Sequence, residues 1–220
     1  HTGEGPSIEN FATLTQVGSA TFTDWRGDQL SVDYEGTFTI DQATGEVEFG
    51  GDVFFTGGTG RYEGATGSGG YVGRGDASQG GDRRGGGVAL FVRQDLMLKD
   101  RPDLDTFTLD LESVFVEITL PNSSNFVVGV MYRPPSGNIE SFLGEMQNAL
   151  NIIQRQGKKC YILGDFNIDM LPASVNSLTI DFLDLMHANT FIALIDRVTR
   201  FDGHAATLLD QIFTNDLSAS

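Results

Sequence analysis

The residues best suited to chemistry lie in the run Gly164-Asp165-Phe166-Asn167-Ile168-Asp169, directly after the apolar stretch Tyr161-Ile162-Leu163. A short apolar run bounded by turn residues reads as a buried strand, so Asp165 and Asn167 sit at a strand exit, facing solvent over a rigid base. Phosphodiester hydrolysis needs positive charge on the scissile phosphate, an oriented water and help for the leaving oxygen. A carboxylate and a carboxamide two residues apart supply a water-orienting acceptor and a phosphate-facing donor. Taken alone, Asp and Asn after a strand are more often turn formers than catalysts. Two other segments change that balance. Val130-Met131-Tyr132-Arg133-Pro134-Pro135 ends another buried strand, and Thr207-Leu208-Leu209-Asp210-Gln211-Ile212-Phe213-Thr214-Asn215 sets a further carboxylate, Asp210, within an apolar strand.

The elements that must position these side chains are legible in the same half of the chain. Val88 to Val92, Val114 to Leu120, Phe126 to Met131 and Cys160 to Leu163 are apolar or β-branched runs of strand length. Phe142, Leu143, Met146, Leu150 and Ile153 recur at steps of three and four, which predicts a helix, with Asn138 placed to cap its start and Gly157 its end. A shorter helix is expected around Leu178 to His187, followed by strand-like Phe191 to Ile195. The class is α/β or α+β.

The first part of the chain reads differently. Of 28 glycines, 22 fall at or before Gly87, whereas five of six prolines and all three lysines follow residue 98, so the composition breaks near residues 76 to 85. Arg74 to Arg84 is small, polar or charged throughout and is expected to be a linker, which divides the chain into a β segment at 1–79 and a second domain at 80–220. Within the β segment, Leu30, Val32, Tyr34, Phe38 and Ile40 alternate with polar residues. After a turn at Asp41 to Gly45, Val47, Phe49, Val53 and Phe55 repeat the pattern, which predicts an antiparallel meander. Gly57 to Gly70 lacks both the Gly-Lys-Ser/Thr ending of a P-loop and a Gly-x-Gly-x-x-Gly run entering a helix, so it reads as hairpin turns. Arg74-Gly75-Asp76 spells an adhesion tripeptide that chance alone supplies often.

Composition narrows the partners. Lys+Arg 14 against Asp+Glu 30 gives a net charge of -16, which excludes a global basic field for nucleic acid or anionic lipid and leaves phosphate contacts local or metal-borne. A lone cysteine, Cys160, excludes a disulfide framework and a multi-cysteine zinc site, and its apolar surroundings make it an inert core thiol. No apolar run approaches the ~20 residues of a membrane helix, and His1 to Asn10 has no signal-peptide pattern, so a soluble chain without a membrane partner is expected. The absence of an initiator methionine fits a processed, engineered or partial chain.

In order, Arg84-Gly85-Gly86-Gly87-Val88-Ala89-Leu90-Phe91-Val92, the Tyr132 segment, the Gly164-Asp165-Phe166-Asn167 segment and the Asp210 strand resemble the endonuclease/exonuclease/phosphatase family, in particular the apurinic-type endonuclease domain of LINE-type retrotransposons. The resemblance implies a sandwich of two sheets flanked by helices and a magnesium-dependent cut in DNA by direct attack of water. It implies that Asp165 orients or deprotonates the water, Asn167 contacts the scissile phosphate, Tyr132 donates near it, and Asp210 supports the catalytic histidine and the metal. Leu209 stands where the family has isoleucine, and Gln211 fills a variable place. No residue matches the family's metal-binding glutamate or its Ser-Asp-His strand, and neither His187 nor His204 sits in that context. The resemblance therefore implies an α/β sandwich incomplete at both ends, with impaired catalysis.

Residues 9 to 75, with Gly27-Asp28-Gln29-Leu30 and Phe55 to Gly69, resemble part of an allene-oxide-cyclase-like or dirigent-like β-barrel. The expected whole is α+β: a partial barrel joined to a partial nuclease-like sandwich. Two other readings compete with hydrolysis. One is a noncatalytic remnant acting as a binding module; the other is a small-ligand-binding β segment.

Overall fold

The computed structural model describes residues 11–23, 26–41, 43, 45–76, 87–93, 96–121, 123–201, 203 and 205–219. They resolve into two compact units, His1–Gly87 with Phe91–Gln94, and Val88–Leu90 with Asp95–Ser220. The fold is mixed α+β.

The first sheet is five-stranded: β1 (Phe11–Thr23), β2 (Gln29–Asp41), β3 (Glu46–Gly58), β4 (Gly67–Asp76) and β5 (Gly87–Arg93), in the order β1-β2-β3-β4-β5. The alternation expected from the sequence holds, with Val32 and Val53 buried and Asp33, Glu35, Asp52 and Phe54 exposed. Four register partners make one row across the sheet, Gln16, Gly36, Gly51 and Tyr71. Gly36 and Gly51 leave that row empty, and Gln16 Nε2 reaches over both to donate to the Tyr71 hydroxyl at 2.6 Å. A Cβ on Gly36 would collide with the Gly50 carbonyl and crowd Tyr71, so the close approach requires glycine. The rings of Phe22 and Phe91, on the two edge strands, meet edge-on with centroids 5.9 Å apart, so the sheet curls. Part of the glycine surplus thus serves this close approach, while Gly57, Gly60 and Gly64 adopt positive φ in and around the connection to β4.

Two expectations change here. Arg74 to Asp76 are not linker; they pair with Glu46 to Glu48 in β4, because a backbone ladder needs no apolar side chain. Val88 to Val92 is a strand as expected, but β5 takes its ladder place at the edge of this first sheet rather than among the strands that follow it. The rest of the linker, the 79/80 boundary, His204 and the lone tryptophan, Trp25, expected as a barrel-packing or edge residue, lie outside the described residues.

The second unit carries β6 (Met97–Asp100), β7 (Thr106–Phe107), β8 (Glu112–Thr119), β9 (Phe126–Tyr132), α1 (Ile139–Gln156), β10 (Lys159–Asp165), α2 (Ser177–Ala188), β11 (Ile192–Ala193), the hairpin β12 (Arg200–Phe201) and β13 (Ala206–Thr207), and β14 (Asp210–Thr214). Its sheet runs β11-β14-β10-β9-β8-β6, with β7 on β8. α1 starts and stops where the sequence places it: Asn138 accepts from the Ser141 N–H at 3.0 Å, and Gly157 is left-handed at φ 61. The β9–α1–β10 crossover makes β9 and β10 parallel. Phe142, Met146 and Leu150 of α1 and Phe182 of α2 pack against Phe115, Met131, Ile162 and Phe213 of the strands. Phe166, Phe182 and Phe213 form a mutually contacting trio, with Phe142 against Phe182. At ~1.5–3 kcal/mol for each fully buried large apolar side chain, this layer anchors β10 and β14, whose ends carry the candidate residues.

Candidate functional site

In-register strands bring three of the four sequence candidates together. Asp165, last residue of β10, is the partner of Asp210 on β14 and of Tyr132 on β9. Adjacent strands lie ~4.8 Å apart and partnered side chains project to one face, so Tyr132, Asp165 and Asp210 stand side by side. Because Cys160 and Ile162 point into the helix-covered core, alternation turns Leu163 and Asp165 to the other face. All three candidates are half-buried.

Asn167 completes the group from the loop after β10. Its φ of 48 is left-handed, a conformation that Asn tolerates better than most residues. Its N–H donates to Asp165 Oδ1 at 3.0 Å, and its Nδ2 donates to the Arg133 carbonyl at 2.8 Å. The backbone around it is stitched to both neighbouring segments: Arg133 N–H to the Asp165 carbonyl and Phe166 N–H to the Leu209 carbonyl, each at 3.0 Å.

Sequence reasoning missed several residues that shape the rim. Arg133 is 4% exposed; its Nη1 donates to the Phe166 and Asn167 carbonyls at 3.4 and 3.3 Å, and its Nη2 to the Gly137 carbonyl at 3.3 Å. Burial lowers its pKa, partly offset by Asp110, and the guanidinium stacks over the Phe142 ring at 5.6 Å. Glu112 extends the row, since it is the partner of Tyr132 on β8. Nothing in the sequence marked it, because the burial of β8 is unbroken from Glu112 to Ile118 and masks the alternation. Arg200, on the β12–β13 hairpin, reaches Asp165 Oδ2 with Nη2 at 3.4 Å.

Asp169 Oδ1 accepts from Leu171 and Leu208 N–H at 3.2 and 3.0 Å. Burial pushes its carboxyl up, but these bonds and one from Ser174 together hold it below the ordinary range. Gln211 is 2% exposed and clamps the Ile195 backbone through both ends of its amide. Burial pushes the Cys160 thiol far up, which fits an inert core residue. His187 lies exposed on α2.

A magnesium ion, which the family resemblance implies, is poorly matched by these residues. Among the described residues no group of three or more His, Cys, Asp or Glu is placed to hold a metal. The rim carboxylates are the Asp165–Asp210 pair and, one strand beyond Tyr132, the buried Glu112, and Asp165 already faces the Arg200 guanidinium.

Comparison with known proteins gives the context for this arrangement. No curated protein matches the chain. Among solved structures, the endonuclease domain of TRAS1, a telomere-specific non-LTR retrotransposon, aligns at 20% identity and a TM-score of 0.48, covering 58% of this chain and 58% of that one. An endonuclease/exonuclease/phosphatase family protein from Bacteroides thetaiotaomicron aligns at 13% identity and a TM-score of 0.39, covering 62% of this chain and 57% of that one. The chain thus spans under two thirds of the length of either. The family model for the Endonuclease/Exonuclease/phosphatase family matches residues 22–219, which takes in Tyr132, Asp165, Asn167 and Asp210, and the chain belongs to that family.

Proposed function

We propose that the chain acts on phosphodiesters of DNA through the Tyr132–Asp165–Asn167–Asp210 rim, with hydrolysis weaker than a complete site would give. The observation that carries this reading is the register: Asp165 lies between Tyr132 and Asp210 on adjacent strands, with Asn167 bonded to it. In that arrangement Asp165 is the acceptor for a water, Asn167 and Tyr132 are donors toward the phosphate, and Asp210 adds a second carboxylate beside Asp165. Reduced catalysis follows from the donor set, because a hard cation on the phosphate is a large part of such rate enhancements and the described residues hold no full ligand group for one.

Purified protein is expected to nick supercoiled DNA slowly in magnesium buffer, and Asp165→Ala to abolish the nicking. Equal nicking by the variant means a contaminant and rejects the reading. The weak ligand set is checked by thermal melts: a resident metal that binds only the folded state raises the melting point, so magnesium should leave it unmoved. Arg200 on Asp165 also favours a second reading, a module that binds DNA without cutting it; wild-type protein that binds DNA yet fails to nick it selects that one.

A further inference from the structure

We propose that Arg200 is the phosphate-binding cation of the rim and that a phosphodiester binds there without a divalent metal. This rests on the phosphodiester reading above for the class of ligand and goes beyond it in naming the group that receives the phosphate's charge.

The need for such a group is electrostatic. The chain carries a net charge of -16, and two carboxylates, Asp165 and Asp210, are direct partners at the rim. A phosphodiester monoanion approaching them is repelled unless a cation faces it. Arg133 does not serve, because its two terminal nitrogens are committed to the Phe166, Asn167 and Gly137 carbonyls and the residue is buried. Arg200 is placed to serve. Its side chain is 58% exposed and touches Asp165 through Nη2. A guanidinium presents five N–H donors in a planar fork that matches phosphate oxygens, so one long contact leaves most of that capacity for a ligand.

The hairpin fixes where this guanidinium starts from. Thr199 Oγ1 accepts from the Leu209 and Asp210 N–H groups at 3.3 and 3.2 Å, and Thr199 N–H donates to the Thr207 carbonyl at 2.9 Å. The residue before Arg200 is therefore fastened to the start of β14, beside Asp210, while the Arg200 side chain is 58% exposed and makes one 3.4 Å contact to Asp165. An arriving phosphate competes with Asp165 for the guanidinium. When it wins, Arg200 holds the phosphate, and the Asp165 oxygen it leaves becomes available to a water.

Dimethyl phosphate, the smallest phosphodiester, is titrated into the full chain in EDTA and followed by NMR at the Arg200 Nε–H and the Asn167 amide. Wild type should show saturable shifts at both. Arg200→Ala should weaken binding about tenfold, equivalent to about 1.4 kcal/mol, with an unchanged melting point. Arg200→Lys should recover part of the loss. Asp165→Asn should tighten binding, because it removes the competitor. Arg197→Ala is the control for general charge, since Arg197 is 90% exposed and pairs with Asp196. The proposal is overturned if wild type shows no saturable shift in EDTA, if Arg200→Ala binds as wild type does, or if Arg197→Ala loses as much. Failure of the hydrolase reading looks different: nicking then ceases to depend on Asp165, while Arg200-dependent binding persists.

Discussion

Where β10 begins, Glu117 of β8 accepts from Lys158 and Asn125 on one oxygen and faces Arg101 on the other, and Arg101 in turn holds Asp103 and Gln156. Where β10 finishes, six residues on, Asp165 and Asp210 stand directly opposite each other, and among the described residues the ion pair across the rim is the 3.4 Å contact to Arg200. Both ends belong to one sheet and both carry buried or half-buried charge. At the first end each charge is matched by its opposite, and the hydrogen bonds from Lys158 and Asn125 hold the Glu117 carboxyl below its ordinary range. At the second end like charges face one another across strands, an arrangement that costs stability. A polypeptide tolerates that cost where the charges have a task other than holding the fold.

The comparison is most exposed at the matched end. Glu117→Leu leaves Arg101 and Lys158 without their shared acceptor and should cost about 3 kcal/mol in urea unfolding, as removal of one member of a buried ion pair does. A loss under about 1 kcal/mol would show that the network contributes little. Next is the strand pairing that both ends share. A Cβ on Gly164 would meet the Met131 carbonyl, so Gly164→Ala should force β9 and β10 apart, cost about 2 kcal/mol and displace Asp165 from Tyr132. Retention of wild-type Asn167 amide shifts in that variant would contradict the shared positioning.

A smaller effect is expected from acid. Glu117 and Asp103 have folded-state pKa values below their unfolded ones of 4.5 and 3.8, so their stabilisation is complete above those values and is lost as pH falls through the folded values. Stability measured from pH 6 to pH 3 should therefore decline below about pH 4.5, and Glu117→Gln should flatten the decline. An unaltered slope in Glu117→Gln would move the acid sensitivity elsewhere. The smallest change is expected at the rim, where Asp210→Asn removes a like-charge opposition and should raise stability by a few tenths of a kcal/mol. A loss of 1 kcal/mol or more would mean that Asp210 holds the fold, and the contrast between the two ends would collapse.

What could be read in advance follows from which signals are local. The strands β2 and β3 announce themselves through alternation, and α1 through its apolar spacing with Asn138 and Gly157 at its ends. Asp165, Asn167, Tyr132 and Asp210 stand out as candidates through short motifs, and the register places Asp165 between Tyr132 and Asp210. What remained hidden depends on pairing between distant segments. β6 has four exposed residues and no pattern of its own, and β5 gives no hint of which sheet it joins. Arg133 looks like a surface residue until the Phe166 and Asn167 carbonyls close around it. Glu112 becomes a neighbour of Tyr132 only once β8 and β9 are aligned.

Asn215, just past β14, uses its side-chain amide as a strand would use its backbone: Oδ1 accepts from the Cys160 N–H and Nδ2 donates to the Lys158 carbonyl. A slip of one residue between β10 and β14 would turn every side chain of β14 to the opposite face, and a slip of two would set Leu208 or Ile212 against Asp165. Either slip breaks both amide contacts at once. One asparagine thus acts as a distant stop for the alignment of two aspartates, and a substitution there would blunt the rim without touching any residue in it.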